Sequence, residues 1–490
     1  MIARKRLSTP AVLASAATGL LLLSGISPAV ADSRSASRAG SAPALSAARA
    51  RVQPTPGSSS GGDPYFPRQG NGGYDALGYR IHVEYTPSSH ALKGHAIVRA
   101  RATKALSKFN LDLRRTMKVT SVTVDGRAAR FSQPARAVQE LAITPAKALR
   151  KDQTFTVSVR YAGTTTPVTD PDGSPDGWIP TPDGAFVASE PQGSPSWFPV
   201  NDSPKDKALY AVSITVPKGI TAVSNGNLLS ARTAHGRTTW AWQLNQPVSS
   251  YLVTATVGKF TLTKGRTGKG VPYLIAVDPT QRSQSAKVLK KLPAMVDYFS
   301  SVYGRYPFGS AGAIVDNAPN VGYALETATR PVFDSAPDEL TLAHELAHQW
   351  YGDDVTLARW RDIWLNEGFA EFSSWLWDEH SGGTSAAAHL STLMAVPADD
   401  PVWSPPPGNP GSAAAIFSDS VYERGAATLQ ALREKLGDPV FFAVMRGWAG
   451  AHRYGNATVP EFVHFAGSVS GQDLTAFFQN WLYASGKPTR

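Results

Sequence analysis

The strongest chemical signature in this chain is His344-Glu345-Leu346-Ala347-His348, followed by Glu367. Two histidines four apart on a helix project from one face about 6 Å apart, within reach of a single zinc ion. Glu345, between them, then points beside the metal, placed to act as a general base. Eighteen residues separate His348 from Glu367, which lies in Asn366-Glu367-Gly368-Phe369-Ala370, read as the opening of the next helix. His344, His348 and Glu367 supply three protein ligands and leave a fourth position for water, the pattern of a catalytic rather than a closed structural site. Water bound there has its pKa lowered toward neutrality, and Glu345 accepts its proton and passes it to a leaving amine. The chemistry is metal-assisted amide hydrolysis with one zinc ion as cofactor. With 10 histidines in 490 residues, a chance pairing is a poor explanation. Glu371, four residues beyond Glu367, has a spacing that would let it hydrogen-bond a ligand histidine, although a glutamate there reads more often as a solvated helix residue.

These residues need a helix, and the sequence frames one. Ser335 with Asp338 three residues on resembles a capping box, Pro337 falls in the first turn, and Gly352 closes the run. Helical windows also cover 283–303, 421–436 and 439–451. Trp350, Trp360, Trp364, Phe369, Phe372, Trp375 and Trp377 follow helical spacing and are read as core. Between Tyr74 and Leu262 the pattern is different. Alternating runs at 79–85, 154–159, 211–216 and 251–257, punctuated by Gly, Pro and Asp, predict an antiparallel β-sandwich or saddle-like sheet, interrupted by a loop over 166–184. The fold class is therefore α+β, with a β-rich domain over 63–265 and a zinc domain over 266–490.

Ahead of both, Arg4, Lys5 and Arg6 precede an apolar run from Ala11 to Leu23, and Ala29-Val30-Ala31 offers a small-residue cleavage site. Residues 1–31 thus read as a secretory signal peptide, too short for a membrane span, which leaves no stable membrane anchor after cleavage. Residues 32–62 are Ala, Ser, Arg, Gly and Pro and read as a disordered linker. The absence of cysteine excludes both a disulfide framework and a lipid anchor on a thiol. Of the net charge of +10, Arg4, Lys5 and Arg6 carry three. Arg34, Arg38, Arg49 and Arg51, less Asp32, carry another three. The +4 left for the body is ordinary and gives no support to nucleic-acid binding.

In its ordered motifs, spanning about 75–488, the chain resembles the zinc aminopeptidases typified by aminopeptidase N and the leukotriene hydrolase, a gluzincin family. His344, Glu345, His348 and Glu367 match that family's ligands and base. Gly322-Tyr323-Ala324-Leu325-Glu326-Thr327 resembles its Gly-Ala-Met-Glu-Asn edge strand, with Tyr323, Leu325 and Thr327 replacing the first Gly, the Met and the Asn. The resemblance implies that Ala324 lies along the substrate and that Glu326 holds its free amine. Val421-Tyr422-Glu423-Arg424-Gly425-Ala426 resembles the segment whose tyrosine donates to the tetrahedral intermediate, which assigns that role to Tyr422. Glu190-Pro191-Gln192, ahead of Trp197-Phe198-Pro199-Val200-Asn201-Asp202-Ser203-Pro204, resembles the stretch whose glutamate helps recognise the amino terminus. Here Ala188 stands for the Gln and Val200 for the Cys. Two anions at one ammonium fix the first peptide bond over zinc.

The resemblance implies a thermolysin-like, mainly helical catalytic domain, and a chain that stops at Arg490 without the helical roof of larger relatives. The expected function is a secreted zinc aminopeptidase acting on peptides with a free N-terminus. An endopeptidase, an epoxide hydrolase on a lipid and a non-enzymatic secreted binding protein are the competing readings, because a shared fold does not confer a shared substrate.

Overall fold

The computed structural model describes residues 53–490. The signal peptide at 1–31 and the linker as far as residue 52 lie outside the described residues. The alternation read in the N-terminal half builds an eight-stranded sheet. Its strands run, side by side, 227–234, 237–248, 208–217, 74–86, 91–102, 154–164, 117–124 and 127–128. In Tyr74–Thr86, Tyr79, Ile81, Val83 and Tyr85 point inward while Arg80 and His82 face solvent, the two-residue period of a strand with one buried face. The sheet is not wholly antiparallel, since Ala208–Pro217 runs parallel to Tyr74–Thr86, Tyr210 opposite Tyr79. Two smaller sheets pack with it, one of four strands (55–56, 106–112, 140–144, 130–132) and one of five (168–169, 175–180, 185–188, 255–258, 221–224).

Three expectations change here. The span 166–184 is not simply a loop. Pro175–Pro180 pairs with Ala185–Ala188 inside the five-stranded sheet, its Trp178 wholly buried. The run at 251–257 is split between a 3-10 turn, Ser250–Leu252, and the strand Ala255–Gly258, all of it buried, so the apparent alternation there is coincidental. Residues 55–61, expected to lie within the disordered linker, are instead tied down. Thr55–Pro56 pairs in parallel with Leu106–Asp112, and the N–H groups of Thr55, Gly57, Ser58 and Gly61 all donate to backbone carbonyls. Composition misled because this segment is held by its main chain, which needs no large side chains. A Cβ on Gly57 would lie 2.6 Å from the Gly72 oxygen, so this close approach requires glycine. Beyond it, Asp63 accepts the Trp360 N–H at 2.8 Å, and Tyr65 donates to Asn409 Oδ1 and accepts from the Gly411 N–H, both at 2.6 Å. Residues 55–73 thus strap both halves of the molecule.

The second half opens with a five-stranded sheet, in order 261–266, 272–277, 311–315, 332–333, 324–325. Because Thr261–Arg266 pairs in this sheet, the boundary expected at 265 falls ahead of residue 261. Helices follow: α1 (Arg282–Leu289), α2 (Leu292–Val302), α3 (Glu339–Ala347), α4 (Trp364–Ser381), α5 (Ala386–Met394), α6 (Gly425–Leu436), α7 (Asp438–Ala451) and α8 (Val459–Ser470). The aromatic series is core as expected, Trp350, Trp360, Trp364, Phe369, Phe372, Trp375 and Trp377 all being buried. One apolar cluster runs from Phe66 to Leu482 through both halves. No helix among the described residues is long and apolar enough to cross a membrane.

Candidate active site

Helix α3 carries the two histidines, and its start differs from the expected capping box. Asp338 is the cap, accepting the N–H groups of Leu340 at 3.0 Å and Thr341 at 3.1 Å, while Ser335 donates to Asp334. A carboxylate at this position answers two orphan donors and favours the helix dipole, which a serine three residues earlier cannot do. Pro337 therefore precedes the helix. The helix ends at Ala347, with His348 as its C-cap and Gly352 in the turn beyond. Gly352 has φ 130°, and a Cβ there would sit 3.0 Å from His348 Nδ1, so glycine is needed for the ligand ring to keep its place.

Helix α4 brings Glu367 to the pair. Its Oε2 lies 3.2 Å from His344 Nε2 and 3.5 Å from His348 Nε2, so the three prospective ligand atoms converge. All three residues are at most 3% exposed. The far sides of both rings are held: His344 Nδ1 lies 2.9 Å from Glu371 Oε2 and His348 Nδ1 3.0 Å from the Tyr351 carbonyl. A carbonyl can only accept, so His348 Nδ1 carries the hydrogen and Nε2 faces Glu367. Glu371 is therefore not simply a solvated helix residue, since its carboxylate meets the outer nitrogen of His344 as partners of metal-binding histidines do.

Three more carboxylates surround this centre. Glu326 and Glu345 each place an oxygen within 4.8 Å of a His348 ring nitrogen, and Glu190, Glu326 and Glu367 place theirs within 4.8 Å of one another. Glu190 and Glu326 are 6% and 2% exposed, and one oxygen of each, Oε1, has no hydrogen-bond partner. Burial pushes the Glu326 carboxyl up, against the pull of His348, to about 7. Burial and then the charge of Glu326 push Glu190 well above the carboxylate range. For His348 burial disfavours the proton, but Glu326 and Glu367 outweigh it and raise the ring to about 10. Burial likewise raises Glu367, yet the neighbouring His348 and His344 hold it below the ordinary range. So many buried acids around two imidazoles make a site that a divalent cation satisfies. The mixed nitrogen and oxygen donors of His344, His348 and Glu367 fit zinc.

Sequence reasoning gave no role to several supporting residues, Gln349, Tyr251, Asn366 and Arg424 among them. Gln349 donates to the Glu326 carbonyl at 3.4 Å and accepts the Thr329 N–H at 2.7 Å, tying the edge strand Ala324–Leu325 to the end of α3. Tyr251, from the N-terminal half, donates to the Gly352 carbonyl and accepts from Asn366 beside Glu367. Tyr422 sits on a π-turn, Ser420–Arg424, its ring stacked 5.9 Å from that of His344. Arg424 anchors this turn through the carbonyls of Trp403, Asn480, Trp481, Ala484 and Gly486. Gly425 completes the approach. A Cβ there would lie 3.0 Å from the Gly368 Cα, so a pair of glycines lets α6 meet α4 one residue from Glu367. Only the glycines left a signal in the sequence, in Glu367-Gly368 and Arg424-Gly425. The two halves of the candidate site, the trio His344, His348 and Glu367 and the carboxylates Glu190 and Glu326, are thus brought together, with Ala324 on the last strand of its sheet.

Comparison with known proteins agrees with this geometry. Residues 75–252 match the Peptidase M1 N-terminal domain and residues 326–481 the Peptidase family M1 domain. The chain belongs to the M1 family of zinc metallopeptidases, and with that membership comes a single catalytic zinc ion. The M1 zinc metallopeptidase of Deinococcus radiodurans has a similar structure, with TM-score 0.80 and 28% identity, covering 88% of this chain and 98% of that one. A variant of it has been solved with a Tyr-Ser-Ala substrate, at 27% identity and TM-score 0.80. The glutamyl aminopeptidase of Bos taurus is 28% identical over 332 residues, 62% of this chain and 34% of that protein. The probable aminopeptidase 2 of Sulfurisphaera tokodaii is 26% identical over 60% of this chain and 40% of its own length. The chain thus spans about a third of the bovine relative's length.

Proposed function

We propose that this protein is a secreted zinc aminopeptidase that removes the N-terminal residue from peptides. The observation that carries the reading is the pair of buried carboxylates, Glu190 and Glu326, each with one oxygen lacking a hydrogen-bond partner, gathered with Glu367 within 4.8 Å. A substrate ammonium group pairs with both and offsets their burial, which fixes the first peptide bond next to the metal ligands. The strand Ala324–Leu325, last in its sheet, lies beside the extended substrate backbone. His344, His348 and Glu367 would hold the zinc ion, which would supply Lewis-acid chemistry and a lowered pKa for an attacking water. Glu345 is the residue placed to take the proton of the attacking water and to hand it to the departing amine. Tyr422 donates its hydroxyl hydrogen to the oxygen on which charge develops. Glu371 and the Tyr351 carbonyl keep the two imidazoles turned toward the metal. Secretion rests on the charged, apolar and small-residue order of residues 4–31.

The test compares reporter substrates with free and acetylated α-amines, each with and without a chelator. Turnover of the free-amine set alone, lost with chelator and restored by zinc, is expected. Equal cleavage of blocked and free peptides rules out the exopeptidase reading. Recovery of a mature chain beginning near Asp32 from the medium of an expressing culture checks secretion.

A further inference from the structure

A second carboxylate cluster stands apart from the site above and contains no histidine. Asp278 and Asp316 directly follow the neighbouring parallel strands Pro272–Val277 and Ala311–Val315, at the carboxyl ends where open sheets present their crevices. The Asp278 N–H donates to the Val315 carbonyl at 2.8 Å, which locks the two strand ends together. Asp183 arrives from the N-terminal half, in the turn between Pro175–Pro180 and Ala185–Ala188. One carboxylate oxygen from each of the three lies within 4.8 Å of the others.

The cluster has an unmet need. Asp316 is 1% exposed, and although Oδ1 accepts the Asn317 N–H at 2.8 Å, Oδ2 is sealed from water with no partner. Burial pushes the Asp316 carboxyl up to about 7, and Asp183 and Asp278 add to the rise. The other two are fixed from one side each: Asp278 Oδ1 accepts from the Thr280 N–H at 2.7 Å, and Asp183 Oδ2 from the Lys259 N–H at 2.9 Å. A Cβ on Gly258 would lie 3.3 Å from Asp183 Oδ1 and 3.1 Å from the Phe260 ring, so the space beside Asp183 is narrow.

We propose that Asp183, Asp278 and Asp316 bind a calcium ion that ties the N-terminal sheet to the catalytic sheet. Oxygen-only donors from three carboxylates select a hard cation over zinc, and ligands from separate loops suit the flexible coordination of calcium better than the strict octahedron of magnesium. The ion neutralises a charge cluster that otherwise costs free energy to bury, next to the 258–261 connector between the halves. In a chain without cysteine, it does the cross-linking that a disulfide does elsewhere.

The experiment uses the full chain loaded with zinc. Calorimetric titration with calcium chloride is expected to show one bound equivalent. At a hundredfold excess over Kd the melting temperature is expected to rise by about 3 °C or more, with sodium chloride at matched ionic strength giving no rise. Asp183→Asn, at a half-exposed position, is expected to abolish the calcium-dependent rise while zinc content and peptide turnover stay unchanged. Absence of calcium binding to the unaltered protein overturns the proposal without recourse to a variant. So does a calcium-dependent rise of the same size in Asp183→Asn.

Discussion

His344, Glu345, His348 and Glu367 come from α3 and α4, within 24 consecutive residues, whereas Glu190 and Glu326 stand 136 positions apart in different halves of the chain. The first group is finished by the protein itself: Glu371 and the Tyr351 carbonyl occupy the outer nitrogens of both histidines. The second is left open, with Oε1 of both Glu190 and Glu326 buried without a hydrogen-bond partner, that of Glu326 facing His348 Nδ1 only at 3.9 Å. On the proposed function the floor of the site is therefore local, while the corner is assembled by the fold and would be completed by a substrate amine. Changes in the floor should act on the chemical step or on metal retention. Changes in the corner should act on which peptides are cut.

The largest effect is expected from Glu345→Gln, which removes the base without removing a ligand: kcat falls by about a thousandfold or more while zinc content stays at one per chain. Full activity in that variant would break the division between floor and corner at its first point. Tyr422→Phe is expected to lower kcat by about a hundredfold with KM little changed, read from steady-state kinetics on a free-amine reporter. Glu326→Gln is expected to cost about 10- to 100-fold in kcat/KM on free-amine peptides and to narrow the margin over acetylated ones, Glu190→Gln less so. A loss equal on blocked and free substrates would move these residues from the corner to the floor. Zinc affinity, measured against a chromophoric chelator, sharpens the comparison from the metal's side. His348 without metal holds its proton up to about pH 10, and that proton must leave when the ion binds. Affinity therefore rises with pH by about tenfold per unit below 10, and falls as the solution is acidified. The smallest effect, about 1 kcal/mol of stability, is expected for Asp338→Ala, through the lost cap of α3 and without change in the pH profile.

The same contrast explains how far the site could be read before the fold was known. His344 and His348 were legible because a 3.6-residue helix turns fixed spacing into fixed geometry, and Glu367 because it follows at a defined separation on the next helix. Glu190 and Glu326 were legible only by resemblance, since nothing local says that two loop carboxylates will meet. The β-rich half was legible where one face is buried, as in Tyr79 to Tyr85, and misread at 251–257, where both faces are. Arg424 and Gln349 escaped notice because their partners are backbone carbonyls and amides, which carry no sequence identity. Asp338 was named as a partner of Ser335 when it is itself the cap, because its Oδ1 reaches the N–H groups of both Leu340 and Thr341 while the Ser335 hydroxyl turns to Asp334.

The strap at 55–73 has a consequence for the order in which the molecule can form. Tyr65 meets Asn409 across 344 residues of chain, and Asp63 meets Trp360 across 297. A ribosome making the protein releases the strap first, and its docking partners arrive only after the whole β-rich half and the zinc helices have been made. Contacts of such separation close late and slowly, because the loop entropy must be met before they contribute. The strap is thus a timer as well as a tie: the nascent chain can close this seam only once Trp360, Asn409 and Gly411 of the catalytic half have been made.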